Sequence, residues 1–233
     1  MPEPSTPLSN SRRRLLVMDV DSTFIEQEVI ELIADHAGTS DQVAAVTERA
    51  MRGELDFAAS LRERVATLAG VPVTALDDVR ASATHTPGAR ELVTEAHRRG
   101  WVVALVSGGF AEVVEPLAAA LGIDRFRANR LEVSGGRLTG RTVGPVVDRA
   151  AKERALRELA AELGIPMADT IAVGDGANDL DMIGAAGIGV AFRAKPVVKE
   201  QAPYTVDGRL DEVLAVVDAA DAGREGPSVV EPR

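Results

Sequence analysis

The chain has 233 residues, 45% hydrophobic and 27% charged, with 26 Lys and Arg against 36 Asp and Glu for a formal charge of −10. That composition fits one sizeable soluble core, and the acidic balance argues against general binding of nucleic acid or of anionic lipid, both of which need a basic surface. Cysteine is absent, which excludes disulfides, thiolate nucleophiles and Cys-based metal sites.

Residues 1–11 are rich in Pro, Ser and Thr and are expected to be disordered, as is the segment 223–233. The first ten residues carry no apolar signal core, and no apolar run approaches the roughly 20 residues of a membrane span. A cytoplasmic protein with no membrane and no nucleic-acid partner is expected. Leu15-Leu16-Val17-Met18 is a short continuous apolar run, the pattern of a strand buried on both faces. Residues 26–85 then read as helices over 26–37, 41–52 and 57–68, punctuated by Gly38, Gly53 and Gly70. They are taken as a small helical cap inserted after the first strand. Thr86-Pro87 reads as the cap and first residue of the next helix, which Gly100 closes.

A second apolar run covers 101–106. In the helix that follows, Pro116 should kink or end the helix near Glu115. Leu131-Glu132-Val133 and Arg137-Leu138-Thr139 flank Ser134-Gly135-Gly136, the pattern of a β-hairpin. A helix over 148–163 stops at Gly164. Further apolar runs over 170–173, 188–192 and 204–206 complete an alternation of strands and helices. The fold class is therefore α/β: a Rossmann-like parallel sheet flanked by helices, formed by 12–25 and 86–222, with the cap (26–85) and the hairpin inserted.

In such sheets ligands bind beyond the carboxyl ends of the strands. Asp19-Val20-Asp21-Ser22-Thr23 follows the first run, Ser107-Gly108-Gly109 the second, and Gly174-Asp175-Gly176-Ala177-Asn178-Asp179 the third. Asp19, Asp21 and Asp175 meeting at one edge need a cation, and carboxylates without His or Cys suit Mg²⁺. The glycines let backbone N–H groups approach a phosphate, Ser107 adds a hydroxyl donor, and Lys152 is a candidate counter-charge. Residues 57, 61, 64 and 68 share one helix face, so Arg64 sits in an apolar stripe of Phe57, Leu61 and Leu68. It needs an anionic partner, either an internal carboxylate or a substrate. Glu28 borders the apolar face of its own helix, either as a plain exposed carboxylate or as an acceptor for a substrate ammonium. Of the histidines, His36 reads as a packed core residue, His97 suits a helix C-terminus and His85 marks the return from cap to core.

Taken together, the motifs built on Asp19, Ser107, Lys152 and Asp175 resemble those of the haloacid dehalogenase-like phosphatases. The cap stretches 28–32 and 57–65, together with 126–131, resemble the phosphoserine phosphatase family within them. The resemblance implies Mg²⁺-dependent hydrolysis of O-phospho-L-serine, the final step of serine biosynthesis, through an aspartyl-phosphate. In that scheme Asp19 is the nucleophile and Asp21 the general acid and base. The metal is held by the side chains of Asp19 and Asp175 and the backbone carbonyl of Asp21. Ser107, Gly108, Gly109 and Lys152 hold the phosphoryl group, and Asn178 and Asp179 orient that shell. Arg64 clamps the substrate carboxylate, Glu28 receives its ammonium, and Met51 and Phe57 close over it. A small-molecule substrate and a monomer or homodimer are expected. A phosphotransferase or a phosphatase for another small ester such as phosphohomoserine would share the four motifs. A non-catalytic phosphate-binding protein would have lost the nucleophile.

Overall fold

The structure, a computed structural model, describes residues 12–51 and 54–224. Strands β1 (Leu15–Met18), β2 (Val102–Phe110), β3 (Arg125–Ser134), β4 (Arg137–Val143), β5 (Thr170–Gly174), β6 (Ile188–Phe192) and β7 (Tyr204–Val206) form one sheet. Their order is β4-β3-β2-β1-β5-β6-β7, and every neighbouring pair is parallel except β3 with β4. The helices are α1 (Val29–Ala37), α2 (Ser40–Met51), α3 (Phe57–Ala66), α4 (Ala75–Ser82), α5 (Ala89–Arg98), α6 (Ala111–Ala119), α7 (Arg149–Leu163), α8 (Leu180–Ala185), α9 (Pro196–Lys199) and α10 (Val213–Arg224).

Every residue of β1, β5 and β6 is buried, as their unbroken apolar runs require. Alternation along β1 sends Leu16 and Met18 to one face, packed with Leu92 and Val93 of α5, Val113 and Val114 of α6, and Val213 and Val217 of α10. Leu15 and Val17 point to the other, against Leu156 and Leu159 of α7 and Met182 of α8. Burying one such leucine stabilises the fold by about 1.5–3 kcal/mol. Helix α7 begins where Asp148 accepts from the Ala151 N–H at 2.8 Å and ends at Gly164 in the left-handed region, as its sequence indicates.

The cap segment contains α1 to α4. The chain passes from the sheet to these helices and back through two adjacent extended stretches, where the Glu26 N–H donates to the Thr84 carbonyl and the Thr86 N–H to the Phe24 carbonyl, each at 3.0 Å. A second fastening comes from the hairpin of β3 and β4, whose turn residues Gly135 and Gly136 both have positive φ. The Gly70 N–H donates to Leu138 O and the Leu138 N–H to Val71 O, both at 2.8 Å, and the Val73 N–H donates to Gly136 O at 3.0 Å. Gly140, at φ +80°, lets α3 approach: a Cβ there would lie 3.0 Å from the Ala69 Cβ and 3.1 Å from the Ala66 carbonyl.

Several expected boundaries move. Strand β2 runs on through Ser107-Gly108-Gly109 to Phe110, because Phe110 pairs with Asn129 after a register shift. Helix α1 starts at Val29 rather than Glu26, because residues 20–24 form a tight turn and Glu28 takes the position before the helix. The cap holds a fourth helix, α4, which buries only Leu76 and Val79. Helix α5 starts at Ala89, not Pro87: Thr86 and Pro87 lie in a turn, with the Ala89 N–H on the Thr86 carbonyl at 2.9 Å. Helix α6 runs through the exposed Pro116 without ending, held by buried Val113, Val114, Leu117 and Ala118 around it. His36 is exposed rather than packed, since the buried face of α1 is Val29, Ile30, Ile33 and Ala34. Of the expected C-terminal tail, 223–224 belong to α10, and the rest, like 1–11, lies outside the described residues.

Candidate active site

Sheet register builds the site. Met18 pairs with Leu105 on one side and Val173 on the other, so Asp19 emerges beside Val106 and Gly174, with Ser107 and Asp175 one residue further out. The Asp19 N–H is fixed on the Val173 carbonyl at 2.9 Å. These strand ends floor a cleft of 430 Å³ lined by Asp19, Asp21, Glu28, Phe57, Arg64, Gly108, Gly109, Asp175 and Asn178, with Ile30, Thr47, Ala50, Leu55, Ser60 and Leu61 contributed by the cap segment.

Behind the floor stands Lys152, fully buried, with Nζ 2.7 Å from both Asp19 Oδ1 and Asp179 Oδ1. Burial disfavours its charge, but Asp179 and Asp19 outweigh that and hold the ammonium above the usual lysine range. Asp19 Oδ1 also accepts from the Val20 N–H at 2.7 Å. Burial, and then repulsion from Asp179, nevertheless push the Asp19 carboxyl well up, with Lys152 opposing them only in part. Asp175 accepts from the Thr23 hydroxyl at 3.2 Å and is pushed up to about 6 by burial, then by Asp179 and Glu28. One ammonium does not balance Asp19, Asp21, Asp175 and Asp179. One oxygen from each of Asp19, Asp175 and Asp179 falls within 4.8 Å of the others, an arrangement that fits a hard cation. Asp179 is the most committed of the three: Oδ1 meets Lys152, and Oδ2 accepts from the Gly176 N–H at 3.0 Å.

Asp21 turns away from that cluster. Its Oδ1 accepts from the Val29 N–H at 2.9 Å, and its Oδ2 faces the Ser107 hydroxyl at 3.4 Å. Burial and then the Glu28 charge push Asp21 up to about 7, against the hydrogen bond from Val29. Its side chain is therefore outside the carboxylate cluster, and its expected metal contact is through the backbone. Ser107 is fully buried and accepts from the Gly109 N–H at 2.7 Å, so it braces the loop from behind. A Cβ at 109 would lie 2.7 Å from Asp21 Oδ2 and one at 174 would lie 2.4 Å from Asp179 Cγ, so a larger residue at either place would displace a carboxylate of the site.

Phe57 and Arg64 sit one above the other on α3 and both reach the cleft, as their spacing implies. Arg64 makes no ion pair among the described residues: its Nε faces the Ser60 carbonyl at 3.4 Å. Burial holds its guanidinium below the usual value, with Glu28, Asp21 and Glu31 opposing. Glu28 accepts from the Ser22 hydroxyl at 2.8 Å. The Met51 side chain lies outside the described residues.

Two supporting residues have no role in the sequence reading. Thr23 holds Asp175; it lies inside the first motif, and that placement was the available signal. Asn129, nearly fully buried, donates from Nδ2 to the Gly108 carbonyl at 2.8 Å and accepts from the Val147 N–H at 2.9 Å. It joins the Gly108 loop to the segment entering α7, a link between distant positions with no local signature.

Residues 16–183 match the haloacid dehalogenase-like hydrolase family, and the chain belongs to it. Among its relatives are phosphoserine phosphatases. One from Mycobacterium tuberculosis is 52% identical over 227 residues, 94% of this chain and 56% of that protein, so the chain spans little more than half of that relative. One from Streptococcus thermophilus is 53% identical, covering 88% of this chain and 95% of that protein. A solved phosphoserine phosphatase with a phospho-aspartyl intermediate analogue superposes with a TM-score of 0.82 at 42% identity, over 88% of this chain and 99% of that one. Among the described residues no helix is long and apolar enough to cross a membrane.

Proposed function

We propose that the chain is a phosphoric monoester hydrolase that converts O-phospho-L-serine to L-serine and phosphate in the closing step of serine biosynthesis, with residues 26–85 capping a core formed by 12–25 and 86–222. The observation that carries the substrate is the cleft itself. Arg64, without an ion pair among the described residues, and Glu28 face the same space as the carboxylate floor. A cation and an anion beside a phosphoryl site match the carboxylate and ammonium of an amino acid ester.

The nucleophile is Asp19. Lys152 and the Val20 N–H hold Oδ1, which orients the carboxylate for in-line attack on phosphorus. As the bond from phosphorus to the serine oxygen breaks, Asp21 in its protonated form gives its proton to that oxygen. Ionised Asp21 then takes a proton from the water that hydrolyses the aspartyl-phosphate, so both carboxyl groups return to their starting forms. A value near 7 suits a group that must donate and then accept. The Gly108 N–H, at a strand end braced by Ser107 and Asn129, meets the phosphoryl oxygens, and Lys152 behind Asp19 supplies the counter-charge. Asn178 stands at the rim of the same space. Asp19 and Asp175, with the Asp21 carbonyl, would hold Mg²⁺, which supplies positive charge against the transferring phosphoryl group.

Phosphate release from phosphoserine, with Mg²⁺ and with EDTA, tests this reading. Turnover with Mg²⁺ that EDTA abolishes and that Asp19→Asn lacks is expected. Appreciable turnover by Asp19→Asn sinks the covalent route. Preference for phosphothreonine or phosphohomoserine, or phosphate transfer to added alcohols, moves the assignment to a sibling enzyme.

A further inference from the structure

Ser22 stands between Asp21 and Thr23 and has φ 56° and ψ 6°, the left-handed region that residues with a side chain rarely adopt. Its N–H donates to the Gln27 carbonyl at 3.2 Å, closing the turn that links the two aspartates to α1. Glycine would take this backbone at less cost. What serine adds is its hydroxyl, 2.8 Å from Glu28 Oε1.

That contact is the sole polar side-chain partner of Glu28 among the described residues. Arg64 lines the same cleft and makes no ion pair with a carboxylate among the described residues either. Two opposite charges facing one partly dehydrated space attract each other, and both side chains are long enough to turn. Left alone, they would close on one another and occupy the space between them. A substrate would then have to break that pair before binding, and its apparent affinity would fall by the fraction of enzyme in the open arrangement.

We propose that Ser22 is a positioning residue that ties Glu28 to the catalytic turn and keeps it out of an ion pair with Arg64. The free enzyme thereby presents a separated anion and cation to a zwitterionic ester. The identity of that ester rests on the phosphoserine reading above. The same five-residue turn carries the general acid, the clamp on Asp175 through Thr23 and the clamp on Glu28 through Ser22. Chemistry and amino acid recognition are therefore set by one short piece of backbone.

Steady-state kinetics on phosphoserine and on an aryl phosphate lacking carboxylate and ammonium test this. Ser22→Gly removes the hydroxyl and relaxes the backbone, so folding is not at risk. It should raise KM for phosphoserine about tenfold, the scale of one hydrogen bond to a charged group, with a much smaller change in kcat. The loss in kcat/KM on the aryl ester should be at least fivefold smaller. Ser22→Asn, which tolerates the left-handed backbone and donates from its amide, should restore most of the affinity. In an Arg64→Ala background, Ser22→Gly should matter less, because Glu28 has no cation to fall onto. Equal losses on the two esters, or effects of the two substitutions that simply multiply, would overturn the proposal. A wild-type enzyme that favours the aryl ester overturns the phosphoserine reading instead, and the ligand named here with it.

Discussion

Arg64 is the residue on which specificity turns in the proposed reading. In the proposed scheme Mg²⁺ and Lys152 serve the phosphoryl group that every phosphate ester carries, whereas Arg64 addresses the amino acid part. Because it makes no ion pair among the described residues, Arg64→Ala breaks no such pair there. It should lower kcat/KM for phosphoserine roughly tenfold or more, the loss of a charge-assisted bond, and leave an aryl phosphate nearly untouched. Parallel kinetics on the two esters check this, and equal losses would reassign Arg64 to the packing of the cap. The helical spacing of Phe57, Leu61 and Arg64 made this residue legible, since one face of a helix is a local property. The internal-partner alternative needed the structure, because whether a carboxylate lies within reach depends on every element around it. Asn129 was illegible for the same reason: its partners, Gly108 and Val147, are 21 and 18 residues away.

At the scale of elements, the buried strands read cleanly because strands covered on both faces have no polar positions to blur them. Ser107-Gly108-Gly109 has the composition of a turn, and β2 continues past it because Phe110 rejoins the pairing with β3 at Asn129. Helix α4 was missed because two buried residues make a weak stripe. Helix α6 shows local preference overruled. Pro116 cannot donate to the Glu112 carbonyl, and the helix continues because its neighbours are buried. Since Pro116 is exposed, little packing is lost in Pro116→Ala, while a helix donor is restored. The gain in helix preference, up to about 3 kcal/mol, is offset by about 0.4–1 kcal/mol from a freer unfolded chain. A net stabilisation of about 1–2 kcal/mol should appear as a Tm several degrees higher in thermal melts. An unchanged or lower Tm would contradict it.

For the whole molecule, the crowded carboxylates make stability depend on pH and metal together. Asp21 and Asp175 move from 3.8 to about 7 and about 6, and Asp19 moves the same way. A carboxyl raised in the folded state favours folding while protonated. That contribution is complete below about 4 and is lost as pH climbs through about 6 and 7. His85, pushed below 6.5 by burial and Arg90, works the opposite way in mildly acidic solution, one group against three. Metal-free protein should therefore melt higher at pH 5.5 than at pH 8. Mg²⁺ should raise Tm more at pH 8, where the carboxylates are ionised and the metal neutralises them. Equal Mg²⁺ shifts at both pH values would rule this out.

The burial of Lys152 has a consequence for ionic strength. Mobile ions screen charges they can approach, over about 8–10 Å in ordinary buffers, and they cannot approach an ammonium with no exposed surface. Arg64 and Glu28 stand at a cleft open to solvent, where such ions do reach. On the proposed reading, the two ends of the substrate are gripped with electrostatics of different salt sensitivity. As salt rises, that reading expects recognition of the amino acid end to fade first, so that selectivity among phosphate esters falls.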